Sequence, residues 1–175
     1  MKHAALALAV LCAAPAALAQ TQPPAQPTCA AAEHRAFDFW IGEWDAYVTG
    51  TENLAGRSSI KSEDAACVIT EHWQSVRAAY SGRSLNIYDR ANGQWNQFWT
   101  DSTGEVTRFV GGPIEGGAMR LTDPANVAAG QAGRVHTRMT FTPNPDGSVR
   151  QHGETSPDGA AWTTAYDFTY RRRAQ

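Results

Sequence analysis

The punctuation of this chain constrains it most. After residue 50, glycine turns recur at short intervals: Asn92-Gly93, Thr103-Gly104, Gly116-Gly117, Asp146-Gly147 and Asp158-Gly159. Such dipeptides supply the positive φ that tight hairpins require. Between them lie short runs with strand-like alternation: 57–63, 67–77, 83–88, 95–101, 106–110, 118–121, 134–142, 148–155 and 162–170. With 44–48 they make ten strand candidates, and no helical pattern intervenes. Short links between successive strands favour an all-β, up-and-down antiparallel meander. Closing it into a barrel removes its exposed edges. One longer link, 122–133, is rich in Ala, Gly and Pro and is expected to overhang a rim. No internal repeat or second domain is visible.

The chain leads into this meander through a different pattern. Phe37, Trp40, Ile41 and Trp44 fall at i, i+3, i+4 and i+7, which predicts a short helix with one aromatic face. Gly42 ends it and redirects the chain into the first strand. An aromatic stripe at this spacing reads as core, here the plug of one barrel end.

Upstream, residues 1–19 read as a signal peptide. Met1-Lys2-His3 gives a basic start, Ala, Leu and Val dominate up to Leu18, and Ala17-Leu18-Ala19 is a cleavage pattern placing Gln20 first. The apolar run is short for a membrane span and is broken by Pro15. Residues 20–28 are a Pro/Gln/Thr tether, and 29–173 are long enough for one domain with a core. The expectation is a periplasmic or secreted protein with no membrane insertion after cleavage. Losing Lys2 takes the formal charge from −2 to −3, so no basic field recruits nucleic acid. Arg171-Arg172-Arg173 reads as structural or solvated. The oligomeric state is left open.

Cleavage also removes Cys12, leaving Cys29 and Cys67. Two cysteines in an oxidising compartment favour a disulfide, here tying the N-terminal segment to an early strand. In the loop-entropy picture such a closure is worth roughly 4 kcal/mol. No His stands at zinc-like spacing from either cysteine, and no metal is expected.

Gly42-Glu43-Trp44 resembles the G-x-W signature of lipocalins and their calycin relatives. In that superfamily the Trp packs across the closed barrel end under a basic side chain from the last strand. The resemblance implies this role for Trp44, beside Trp40, with Arg171 or Arg172 as the cation. Phe37-Asp38-Phe39-Trp40-Ile41-Gly42-Glu43-Trp44-Asp45, Ser84–Asp89, Gly93–Trp99 and 145–162 also resemble an uncharacterised family of exported bacterial proteins with an F-x-F-W-I-G-x-W opening. That likeness implies the barrel and brings no activity. Nitrobindin-type haem barrels share a similar opening, loosely aligned. Their haem ligand is a His near the last strand, where this chain has Thr163 to Phe168. No cofactor is therefore expected.

Alternation sorts the strands into faces. Ile69, Glu71, Trp73 and Ser75 share one; Ser84, Asn86 and Tyr88 oppose Leu85 and Ile87; Trp95, Gln97, Trp99 and Asp101 share another. With the aromatic faces inward, Trp73, Tyr88, Trp95 and Trp99 become the walls of a cup, and Glu71, Asn86 and Gln97 its orienting groups. That make-up suits a small apolar or amphipathic ligand. Glu71 is singled out, because a carboxyl among aromatics has a raised pKa and suits general acid or base chemistry of an isomerase or hydratase. The alternative, a Glu71 hydrogen-bonded by Gln97 or Asn86 to hold register, weighs more, so no catalytic residue is assigned. Asp101, at a strand end, is expected to be solvated. His136 and His152 fall on neighbouring strands and with Glu154 could in principle hold a metal, but the spacing is not diagnostic and they read better as exposed strand histidines. A third reading is an interaction protein whose partner covers Leu85 and Ile87.

Overall fold

The computed structural model describes residues 29–124 and 135–174; the expected signal peptide and tether and most of the 122–133 link lie outside them. Among the described residues ten strands close into one antiparallel barrel. They are β1 (Gly42–Val48), β2 (Leu54–Glu63), β3 (Val68–Ser75), β4 (Ser81–Asp89), β5 (Gln94–Asp101), β6 (Val106–Pro113), β7 (Met119–Thr122), β8 (His136–Pro143), β9 (Val149–Ser156) and β10 (Thr163–Arg172). Every strand pairs with its chain neighbour, and β1 closes on β10 from Trp44↔Arg172 to Val48↔Phe168. The result is consistent with a calycin-like fold. The turn glycines carry the positive φ that the dipeptides implied, for example 69° at Gly93 and 80° at Gly147.

The entry segment departs from the expected helix. It is one turn of α-helix, α1 (Ala32–Arg35), then a 3-10 turn at Asp38–Trp40, and Trp44 already belongs to β1. The i, i+3, i+4, i+7 spacing was nonetheless informative. Phe37, Trp40 and Trp44 are all fully buried, because a 3-10 turn followed by an alternating strand also returns those side chains to one side. The Trp44 indole Nε1 donates to the Trp40 carbonyl at 2.9 Å. Phe37 stacks on Trp40, with ring centres 5.0 Å apart, and meets Trp95 and Phe141 edge-on. The barrel's core is thus concentrated at this end.

Two clamps hold the plug. Cys29 and Cys67 form a disulfide that joins the segment before α1 to the residue preceding β3. Arg172 stacks its guanidinium 4.4 Å above the Trp44 ring and donates to the Ile41 carbonyl at 3.3 Å. Gly42 has φ +152°, and a Cβ there would lie 2.4 Å from that guanidinium, so the glycine of G-x-W makes room for the cation. The neighbouring arginines are engaged outside the barrel, Arg171 with Glu52 and Tyr47, and Arg173 with Glu43 and Asp45.

Candidate functional site

Above the plug the barrel is hollow. A cavity of about 480 Å³ lies there, with Trp73, Tyr80, Trp99, Phe109, Tyr166 and Phe168 among its walls. Trp73 and Phe168 stack at 5.6 Å, and Phe168 stacks on Tyr166 at 5.4 Å. Three of these rings lie against a strand glycine. A Cβ on Gly56 would lie 2.4 Å from the Trp73 ring, one on Gly82 2.1 Å from Trp99, and one on Gly153 2.2 Å from Tyr166. A glycine has no side chain to fill the interior, so the rings flatten onto the sheet and leave space.

A polar belt separates cavity from plug. Glu71 is its centre. The Ser58 hydroxyl donates to Oε1 at 2.8 Å and the Ser84 hydroxyl to Oε2 at 3.1 Å. Asn86 donates to the Ser84 hydroxyl at 3.0 Å and to the Ile69 carbonyl at 2.9 Å. Since a carbonyl only accepts, the Asn86 amide nitrogen must face Ile69, and its oxygen accepts from Gln97 at 2.7 Å. Donation therefore runs one way, from Gln97 through Asn86 and Ser84 to Glu71. Burial pushes the Glu71 carboxyl up to about 7, against the opposing pull of the two serine bonds. Across the cavity Gln151 accepts from the Tyr170 hydroxyl at 2.6 Å and donates towards the Tyr166 hydroxyl at 3.5 Å. Burial first, and the Glu71 charge second, raise both tyrosines above their ordinary range.

Of the seven residues proposed to contact a ligand, four line the cavity: Glu71, Trp73, Gln97 and Trp99. Asn86 lies one hydrogen bond behind, fully buried. Tyr88 and Trp95 belong to the closed end instead. Trp95 packs on Phe37 and donates to the Glu33 carbonyl at 3.1 Å, and Tyr88 meets the His34 ring edge-on. They share a face with the cavity residues but sit at a different height. Glu71 is held by Ser58 and Ser84 rather than by Gln97 or Asn86 directly. Asp101 is not simply solvated: it accepts from Tyr80, Trp99 and Thr103, and the Thr103 hydroxyl foremost lowers its carboxyl to about 2.

The histidine pair does not assemble. His136 stands opposite Ser156 and His152 opposite Thr140, and Arg138 takes Glu154 through bonds of 2.7 and 3.0 Å. Among the described residues, no three His, Cys, Asp or Glu side chains are grouped to hold a metal. Leu85 and Phe98 face each other on the outer surface, both exposed. Sequence reasoning missed Tyr166 and Phe168, although their alternation with Tyr170 on β10 was a readable signal. It also passed over Gly56, Gly82 and Gly153, whose place inside strands marks a close approach. No protein-family profile matches the sequence, and no curated protein matches it significantly.

Proposed function

We propose that this chain is an exported binding protein for a small apolar or amphipathic molecule, held in the barrel cavity. The observation that carries this reading is the cavity itself: aromatic walls kept apart by strand glycines, with one buried carboxyl in its floor. Apolar enclosure with a few convergent polar groups is what small-molecule sites share. Export rests on the signal-peptide reading of residues 1–19 and on the likeness of the F-x-F-W-I-G-x-W opening to exported bacterial proteins.

N-phenyl-1-naphthylamine, an uncharged probe that fluoresces in apolar surroundings, tests the cup directly. One probe per chain is expected, and Thr107→Trp, which puts an indole into the cavity from its wall, should abolish binding without unfolding the protein. Unchanged probe binding in that variant sinks the proposed location.

A second reading draws on Glu71 alone. A carboxyl that titrates near neutrality inside a cavity suits a general acid or base, as an isomerase or hydratase needs. It requires a Glu71→Gln protein that still binds its substrate and has lost turnover. Equal turnover in both proteins removes this reading.

A further inference from the structure

We infer that the cavity takes a lipophilic amine in its protonated form, with the ammonium group at Glu71 and the apolar part among the aromatic walls. This rests on the binding reading above and deepens it. Glu71 is a buried carboxyl, and among the described residues no cation pairs with it; its polar partners are the hydroxyls of Ser58 and Ser84. Each serine uses one lone pair of one carboxylate oxygen, which leaves acceptor capacity on both oxygens. Glu71 itself lines the cavity, so that capacity faces the space a ligand would fill.

A second acceptor points the same way. The Ile69 carbonyl fixes the Asn86 amide, Asn86 fixes Gln97 as a donor, and the Gln97 carbonyl oxygen is left without a protein partner among the described residues. Gln97 also lines the cavity. The floor therefore presents a carboxylate and an amide carbonyl, both acceptors. An ammonium group carries donors and no acceptor, which is the complement of this floor. The walls add to the match, because indole and phenol faces attract a cation, an effect worth more when water is excluded.

The other charged and titratable groups around the cavity fit this assignment. Tyr166 and Tyr170 on β10 stay neutral phenols because burial raises them. Tyr80, before β4, is raised as well, and donates to Asp101 at the end of β5. Arg77 lies at the rim, exposed, where its guanidinium Nε donates to the Leu54 carbonyl at 3.1 Å. An anionic ligand would have to place its carboxylate near Arg77 and leave Glu71 unanswered.

The experiment compares decylamine, 1-decanol and decanoate on the wild-type protein by isothermal titration at pH 5 and pH 8. Decylamine stays protonated throughout, so any pH dependence of its binding comes from the protein, and Glu71 is the one carboxyl among the described residues that line the cavity. Decylamine at pH 8 is expected to bind at least tenfold more tightly than the other two. With a carboxyl that titrates at about 7, its affinity should fall by up to about a hundredfold at pH 5, one proton being released per amine bound at the lower pH. Glu71→Gln should bring decylamine down to the level of decanol and flatten its pH dependence. The wild-type pH series stands without that variant, should it fold poorly. Decanol or decanoate binding as tightly as decylamine at pH 8 overturns the amine assignment and leaves the binding cup in place. Absence of binding by all three, together with no uptake of the naphthylamine probe, overturns both.

Discussion

Glu71 makes the stability of this barrel depend on pH in an unusual direction. A carboxyl raised from about 4.5 to about 7 on folding binds more protons in the folded than in the unfolded chain. Its contribution is therefore intact below the unfolded value and is lost as pH rises through about 7. The loss amounts to roughly 3 kcal/mol between pH 4.5 and 8. Urea titrations should show this decline in the wild type and not in Glu71→Gln, which keeps the shape and carries no charge. Parallel pH profiles for the two proteins would show that Glu71 ionises as freely folded as unfolded. At Gly42 the constraint is steric. Gly42→Ala adds a Cβ at φ +152° beneath the Arg172 guanidinium and should cost about 1–3 kcal/mol by the same measurement.

At the scale of elements, the plug is a short segment with little helix of its own to stabilise it. One turn of α-helix and one of 3-10 cannot persist in isolation, so tertiary clamps must hold them. The disulfide spans 38 residues in sequence, and replacing both cysteines by serine should cost about 4 kcal/mol in the loop-entropy picture. A loss below 1 kcal/mol would mean that the aromatic contacts alone seat the plug. The two arginines ending β10 separate cleanly. Arg172→Ala removes a cation from the face of fully buried Trp44 and should cost about 1–2 kcal/mol. Arg171→Ala breaks a solvent-exposed pair with Glu52 and should cost less.

For the whole molecule, the barrel divides along its axis into a packed end, a polar belt and a hollow end. The belt is the hinge of this arrangement, because it turns Glu71 and Gln97 towards the cavity while their backs are satisfied by Ser58, Ser84 and Asn86. Gly82→Ala should disturb the hollow end selectively. Its Cβ would drive the Trp99 ring off the β4 backbone and into the cavity, lowering probe affinity several-fold while the plug and its clamps stay in place. Equal affinity in wild type and variant would mean that Trp99 moves outward instead. The proposed export is checked by N-terminal sequencing of protein recovered from periplasm and medium, with Gln20 expected at its start.

The order and number of the strands were legible in the sequence, because hairpins are local: an Asp-Gly or Asn-Gly pair and the alternation beside it are decided within a few residues. So were the closed end, the partner cysteines and the inward face of β3, with Glu71 on it. Height along the barrel was not legible. Trp95 and Trp99 share a face of β5, and alternation cannot say that the first packs on Phe37 while the second borders open space. Four residues of strand separate them by about 13 Å, and where the plug stops within that span depends on strand stagger and on Phe37, Trp40 and Phe141 from elsewhere in the chain. The same holds for the acid. Its face was readable from β3, but the serines that hold it come from β2 and β4, and only the closed sheet brings them within hydrogen-bonding distance.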